Sequence, residues 1–160
     1  PLKNDYTYTF TTRNSDDFYI NNLFINCNSN GDRQYIQNQT KLYSNYQIEP
    51  VDIATPTTKE ILIKVQLSQT IDSDSINIGS NISISKGSGP GSKSPYIYKI
   101  AGNSSGGPPN TNELYIYVRD VEVGDNYYVL TLTGGTSGIK SNGQNVALDG
   151  TITITFRTIN

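Results

Sequence analysis

GTITITFRT, residues 150–158, decides the fold class, and DYTYTFTTR, residues 5–13, nearly repeats it. Both alternate Thr with a large apolar residue, and both reach a Phe followed by Thr and Arg. Successive side chains of a strand point to opposite faces, so the C-terminal copy sets Ile152, Ile154 and Phe156 against Thr151, Thr153 and Thr155. One such strand closes a β-sandwich. The earlier copy stands before the domain begins, and it needs somewhere to pair.

The same period of two runs through the rest of the chain. Ile61, Ile63, Val65 and Leu67 share one face, with Leu62, Lys64 and Gln66 opposite. Leu114, Ile116 and Val118 oppose Tyr115 and Tyr117, and Tyr128, Leu130 and Leu132 oppose Val129, Thr131 and Thr133. Further strands are expected at 18–27, 33–39, 76–78, 81–85 and 96–100. Between them lie KGSGPGSKSP (86–95), read as a flexible loop, GNSSGGPPNTN (102–112) and GGTSGIKSNGQN (134–145). Asn30-Gly31 marks a hairpin over 18–40, because a type I′ turn needs positive φ at both central residues. Many short strands punctuated by turns predict an all-β sandwich.

Composition narrows the function classes. The chain has 160 residues, a net charge of -2 and 16% charged residues, so neither nucleic acid nor an anionic membrane finds a basic face. No apolar run approaches the roughly 20 residues of a membrane span. There is no signal-peptide pattern and no Met, which reads as a processed chain or a fragment. The 18 Asn and 12 Tyr, with His and Trp absent, suit an extracellular, cell-surface setting. Asn38, Asn81 and Asn103 begin N-x-[ST] sequons open to glycosylation, and glycans are a conceivable partner. Cys27 is the single cysteine, so it is a small apolar side chain or a bridge between subunits.

Candidate chemistry is sparse. Without His, Ser-His-Asp and Cys-His arrangements are excluded, and a zinc site has almost no ligands. Residues 26–32 space oxygen side chains like a calcium loop, yet Gln37 stands where the bidentate Glu belongs, and the hairpin accounts for the same residues. Asp72 and Asp74 read as turn caps, while Asp120, Glu122 and Asp125 form no acid/base pair. The expectation is no enzyme, no metal and no cofactor. Outward Tyr115, Tyr117 and Tyr127 could stack on sugars, but they equally raise strand propensity and fill interfaces between modules.

Four stretches carry a family resemblance: IEPVDIATPTTKEILIKVQLSQTID (48–72), SINIGSNISIS (75–85), VEVGDNYYVLTLTGG (121–135) and SGIKSNGQNVALDGTITITFRT (137–158). In that order they resemble an S-layer-type bacterial immunoglobulin-like domain over residues 46–160. The first would be a proline-led turn and loop before an alternating strand. The resemblance implies a surface structural module with no catalytic residues, and makes Tyr128 the tyrosine-corner residue.

The expected organisation is an N-terminal connector strand, 1–13, and an immunoglobulin-like β-sandwich, 14–160, with the 18–40 hairpin added. The expected function is a subunit of a cell-surface filament, pilus or S-layer, joined head-to-tail by strand donation, its partner a homo-polymer or an adjacent immunoglobulin-like module. Tyr6, Tyr8 and Phe10 would be the buried plugs. Burying about 150–250 Å² of each ring at ~25 cal/mol per Å² gives on the order of 10 kcal/mol before ordering costs. The alternative is a module of a surface adhesin or carbohydrate-binding protein, using the loops 86–95, 102–112 and 134–145.

Overall fold

The computed structural model describes residues 17–26, 32–36, 47–54, 60–122 and 124–159. The connector strand with Tyr6, Tyr8 and Phe10, the sequon at Asn38, Cys27 and the Asn30-Gly31 turn lie outside the described residues. Among the described residues nine strands run in chain order: β1 (Ile20–Asn26), β2 (Asp32–Ile36), β3 (Gln47–Ala54), β4 (Glu60–Leu67), β5 (Ile82–Lys86), β6 (Tyr96–Ala101), β7 (Glu113–Arg119), β8 (Asn126–Leu132) and β9 (Ile152–Ile159). The one helical turn among the described residues is a 3-10 turn at Ser73–Ser75. No helix there is long and apolar enough to cross a membrane.

The strands form two sheets, ordered β2-β1-β4-β7-β6 and β3-β9-β8-β5. Neighbours pair antiparallel, except β3, which runs parallel to β9. The alternation read from the sequence sets the facing: β4 and β8 bury every second residue, and Leu114, Ile116 and Val118 of β7 are fully enclosed. Ile152, Ile154 and Phe156 of β9 meet them across the sandwich in one core.

Most polar groups in the interior have partners, as burial demands, while among the described residues the buried Asn21 Oδ1 has none. Thr158 Oγ1 donates to Glu122 O at 2.8 Å. Ser141 Oγ accepts from Val146 N at 3.1 Å. Asn126, which is fully buried, accepts from Gly91 N at 2.7 Å and donates to Gly124 O at 3.0 Å.

Three expectations are corrected. Residues 47–54 are strand β3, where the sequence suggested a turn and loop; Pro50 breaks the alternation, and the register with β9 shifts between Ile48 and Val51. A sheet edge tolerates Pro because its outer N–H needs no ladder partner. Residues 76–78 are not a strand: Ile78 makes only an isolated bridge to Ile82, and Asn77 O accepts the turn amides of Ser80 and Asn81. The segment 87–95 is anchored by its backbone, as described below.

The facing of β4 is directly testable. Ile63→Ala, at a fully buried site, should lower the unfolding free energy by about 2–5 kcal/mol in urea denaturation. Leu62→Ala, on the outer face, should stay within about 1 kcal/mol; equal losses would contradict the assigned faces.

Candidate functional site

The densest functional chemistry lies on the outer face of the five-stranded sheet, where β1, β4, β6 and β7 present their non-core positions. Registers Asn22↔Gln66, Gln66↔Glu113, Phe24↔Lys64 and Lys64↔Tyr115 align these side chains across strands. Asn22 Nδ2 donates to Gln66 Oε1 at 2.7 Å, and Gln66 Nε2 donates to Glu113 Oε1 at 2.8 Å. Glu113 also receives Lys64 Nζ at 2.9 Å and the Tyr115 hydroxyl at 3.0 Å. Lys64 Nζ sits 5.4 Å from the Tyr115 ring and 5.6 Å from the Phe24 ring, within cation–π range.

A second cluster adjoins it. Tyr98 and Tyr117 meet with ring centroids 6.0 Å apart, Lys99 Nζ lies 5.2 Å from Tyr117, and the Arg119 guanidinium lies 4.0 Å from Tyr98. Glu60 pairs with Arg119 and accepts the Tyr98 hydroxyl. On the opposite sheet Arg157 stands 5.9 Å from Tyr127. The outward facing of Tyr115, Tyr117 and Tyr127 was legible from alternation; Phe24, Lys64, Tyr98 and Glu113 were missed, because only cross-strand register brings them together.

Electrostatics follow the geometry. Burial disfavours the Glu113 carboxylate, yet the bonds from Gln66, Lys64 and Tyr115 outweigh it and hold its pKa below the ordinary value. Burial likewise disfavours charge on Lys64, and Glu113 with Tyr115 outweighs that too, raising its pKa.

The second constellation is the corner between β7 and β8. Tyr128 Oη accepts Glu122 N–H at 2.8 Å, and its ring stacks on Phe156 with centroids 5.5 Å apart. Burial pushes the Tyr128 phenol pKa up. Lys93 N donates to Glu122 Oε2 at 2.8 Å, which keeps that carboxylate acidic. With Gly91 N on Asn126, Gly87 N on Tyr127 O, Tyr127 N on Ser88 O, and Lys86 Nζ on Gly91 O, the 87–95 segment is fastened to the corner. Gly89 has φ +117, and a Cβ there would lie 2.5 Å from Asp125 O.

A polar cavity of about 340 Å³ opens at one sandwich end, lined in part by Asp72, Asp74, Asn77, Thr136 and Lys140. Asp72 Oδ1 caps Asp74 N at 3.1 Å, the turn role read from sequence. Among the described residues no three His, Cys, Asp or Glu side chains are grouped to hold a metal. Asn81 lies at the same cavity, 4% exposed, donating Nδ2 to Ser75 O at 2.6 Å and accepting from Asn77 N at 2.9 Å. A sugar on that nitrogen would have to be accommodated at a side chain that is almost fully buried. Asn103 is exposed, its Oδ1 accepting Gly107 N at 3.0 Å. Asp120 pairs with Lys93 at 3.7 Å, and Asp125 with Arg157 at 4.0 Å.

No protein-family model and no curated protein matches this sequence. Among solved structures, the chain is similar to the crystal structure of the N-terminal part of the bacterial S-layer protein SbsC, at 18% identity and a TM-score of 0.41. That likeness covers 71% of this chain and 23% of the other, so this chain spans about a quarter of its length.

Two measurements check these sites. Glu113 has a depressed folded pKa, so its contribution to stability is full above the ordinary carboxylate value of 4.5 and is lost as pH falls below it. Urea midpoints from pH 7 to 3 should therefore fall less steeply for Glu113→Gln than for the parent, and parallel curves would refute the coupling. Tyr128→Phe leaves Glu122 N–H without its partner, with an expected cost of about 1–3 kcal/mol in thermal or urea unfolding.

Proposed function

We propose that this chain is a non-catalytic building block of an extracellular cell-surface assembly: an immunoglobulin-like β-sandwich whose N-terminal strand adds to the next subunit. One observation carries the reading. β9 lies between β3 and β8 with Ile152, Ile154 and Phe156 fully buried, so the sandwich takes its closing strand from its own C-terminus. The near-duplicate at 5–13 is then surplus to that core. Its Tyr6, Tyr8 and Phe10 are more costly to leave in water than the threonines beside them.

Two features favour the immunoglobulin-like reading. The Tyr128 hydroxyl bonds back to the backbone of Glu122 at the start of its strand, as a tyrosine corner does. The β4-β7-β6 and β3-β9-β8-β5 orders, with β3 parallel to β9, also suit a sandwich of that type. The cations seated over Tyr98, Tyr115, Tyr117 and Tyr127 favour a structural surface over a sugar platform. A head-to-tail strand contact does not close on itself, so it propagates a filament or array.

The test is assembly. Native-condition sedimentation and electron microscopy of the full chain should show linear oligomers that grow with concentration. The same chain lacking residues 1–12 should stay monomeric; assembly unchanged by that deletion would rule out strand donation.

A further inference from the structure

We propose that Asn142 is a site of spontaneous deamidation, with the Gly143 backbone nitrogen as nucleophile and water as co-reactant. The reaction needs a side-chain amide carbon, a free N–H one residue on, and room to close a five-membered ring. Asn142 and Gly143 lie at the tip of a hairpin, and both are exposed. Its legs are joined by Leu148 N to Ile139 O and by Ser141 N to Val146 O, both at 2.8 Å. Gly143 has φ +88, which suits a residue without Cβ, and a Cβ there would meet nothing within 4 Å. Among the described residues, neither the Asn142 side chain nor the Gly143 N–H has a hydrogen-bond partner. The leaving group is free to turn, and the nucleophile is not engaged.

Elsewhere the fold withholds the same nucleophile. After Asn81, Ile82 N donates to Asn77 O at 3.3 Å, and after Asn126, Tyr127 N donates to Ser88 O at 2.8 Å. After Asn112, Glu113 N donates to Thr111 Oγ1 at 3.1 Å. Asn145 gives the closest contrast, because it is exposed and stands three residues from Asn142. Its following amide, Val146 N, donates to Ser141 Oγ at 3.1 Å, and the branched Val146 Cβ crowds the approach. Asn103 is exposed too, but it precedes Ser104, which carries the side chain that Gly143 lacks.

The step balances without oxidant or reductant. Gly143 N bonds to Asn142 Cγ and gives its proton to solvent, while Asn142 Nδ2 leaves as ammonia and a succinimide closes. Water then opens the ring. Cleaving the new N–Cγ bond leaves aspartate at 142. Cleaving the bond from Gly143 N to the original main-chain carbonyl leaves isoaspartate, whose main chain runs through Cβ. Either product adds one negative charge to a chain of net charge -2. The change falls where the hairpin ties down the 70–72 segment: Asn142 N donates to Thr70 O at 2.8 Å, and Asp72 N donates to Lys140 O at 2.9 Å. Asp72, Lys140 and Asn145 line the polar cavity there. Isoaspartate inserts one extra atom into the main chain of a tip closed by Ser141 N and Val146 O, so it loosens these clasps. Aspartate leaves the backbone as it was.

The test is incubation of the folded full chain at pH 8 and 37 °C, then digestion at acid pH and mass spectrometry. Fragment ions give the rate at each Asn. Asn142 should gain the mass of an oxygen in place of an NH, about tenfold faster or more than Asn103 or Asn145. Equal rates at the three overturn the proposal. The same chain unfolded in urea gives the unrestrained rate, and the folded rate at Asn142 should lie within about tenfold of it. An Asn142 that reacts only when unfolded overturns the proposal. Asn142→Gln places the amide carbon one bond further away, so position 142 should stay intact while the thermal transition matches the parent's. Conversion there at the parent's rate overturns the mechanism. Asn30-Gly31 is the other such pair in the sequence, and Asn30→Gln removes it for the last comparison. In that background the converted fraction, isolated by ion exchange, should melt about 2 °C or more below Asn142→Asp of the same charge. Equal melting overturns the loosening.

Discussion

The contact on which most of the architecture depends is Tyr128 on Phe156. The stacked rings join β8 to β9 inside the core, and the Tyr128 hydroxyl holds Glu122 N–H at the mouth of the β7–β8 turn. That turn is tight, with Asp120, Gly124 and Asp125 all at positive φ. Fixing it aims the Glu122 carboxylate and the Asn126 amide outward at the 87–95 segment. The segment in turn sets where β5 ends and β6 begins. One buried aromatic thus links the β7–β8 corner to the connection between β5 and β6.

The two sides of the five-stranded sheet divide the work. The inner side is aliphatic and dry, and supplies cohesion. The outer side carries aromatics, but each described ring cluster is bound by a cation and a carboxylate, as with Lys64 and Glu113 around Tyr115. Such a face resists sticking to arbitrary partners because its apolar area is already in use. Ile78 and Tyr96 stay half-exposed, Tyr96 with its hydroxyl bonded to the Arg119 side chain.

Much of this was legible in the chain itself. Alternation at 61–67, 114–118, 128–132 and 152–156 foretold both the strands and their buried faces, because facing in a strand depends only on sequence parity. Other features misled for local reasons. Pro50 hid β3, and the glycines of 86–95 suggested freedom where backbone bonds impose order. The sequon at Asn81 left glycosylation open, and parity could not show that the fold uses its amide as a brace between Ser75 and Asn77.

Sequence alone determined that this is an all-β chain, which faces of four of its strands are buried, and that residues 5–13 nearly repeat its closing strand. Those properties are local: period, residue size and repetition need no partner. Tertiary structure decided which strands lie at the edges, that Lys64, Gln66 and Glu113 share one network, and that Ile78 comes beside Tyr96. Each of these joins residues from separate strands or loops, and parity cannot say which strand will be its neighbour. Pairing is settled by packing two whole sheets over a common core.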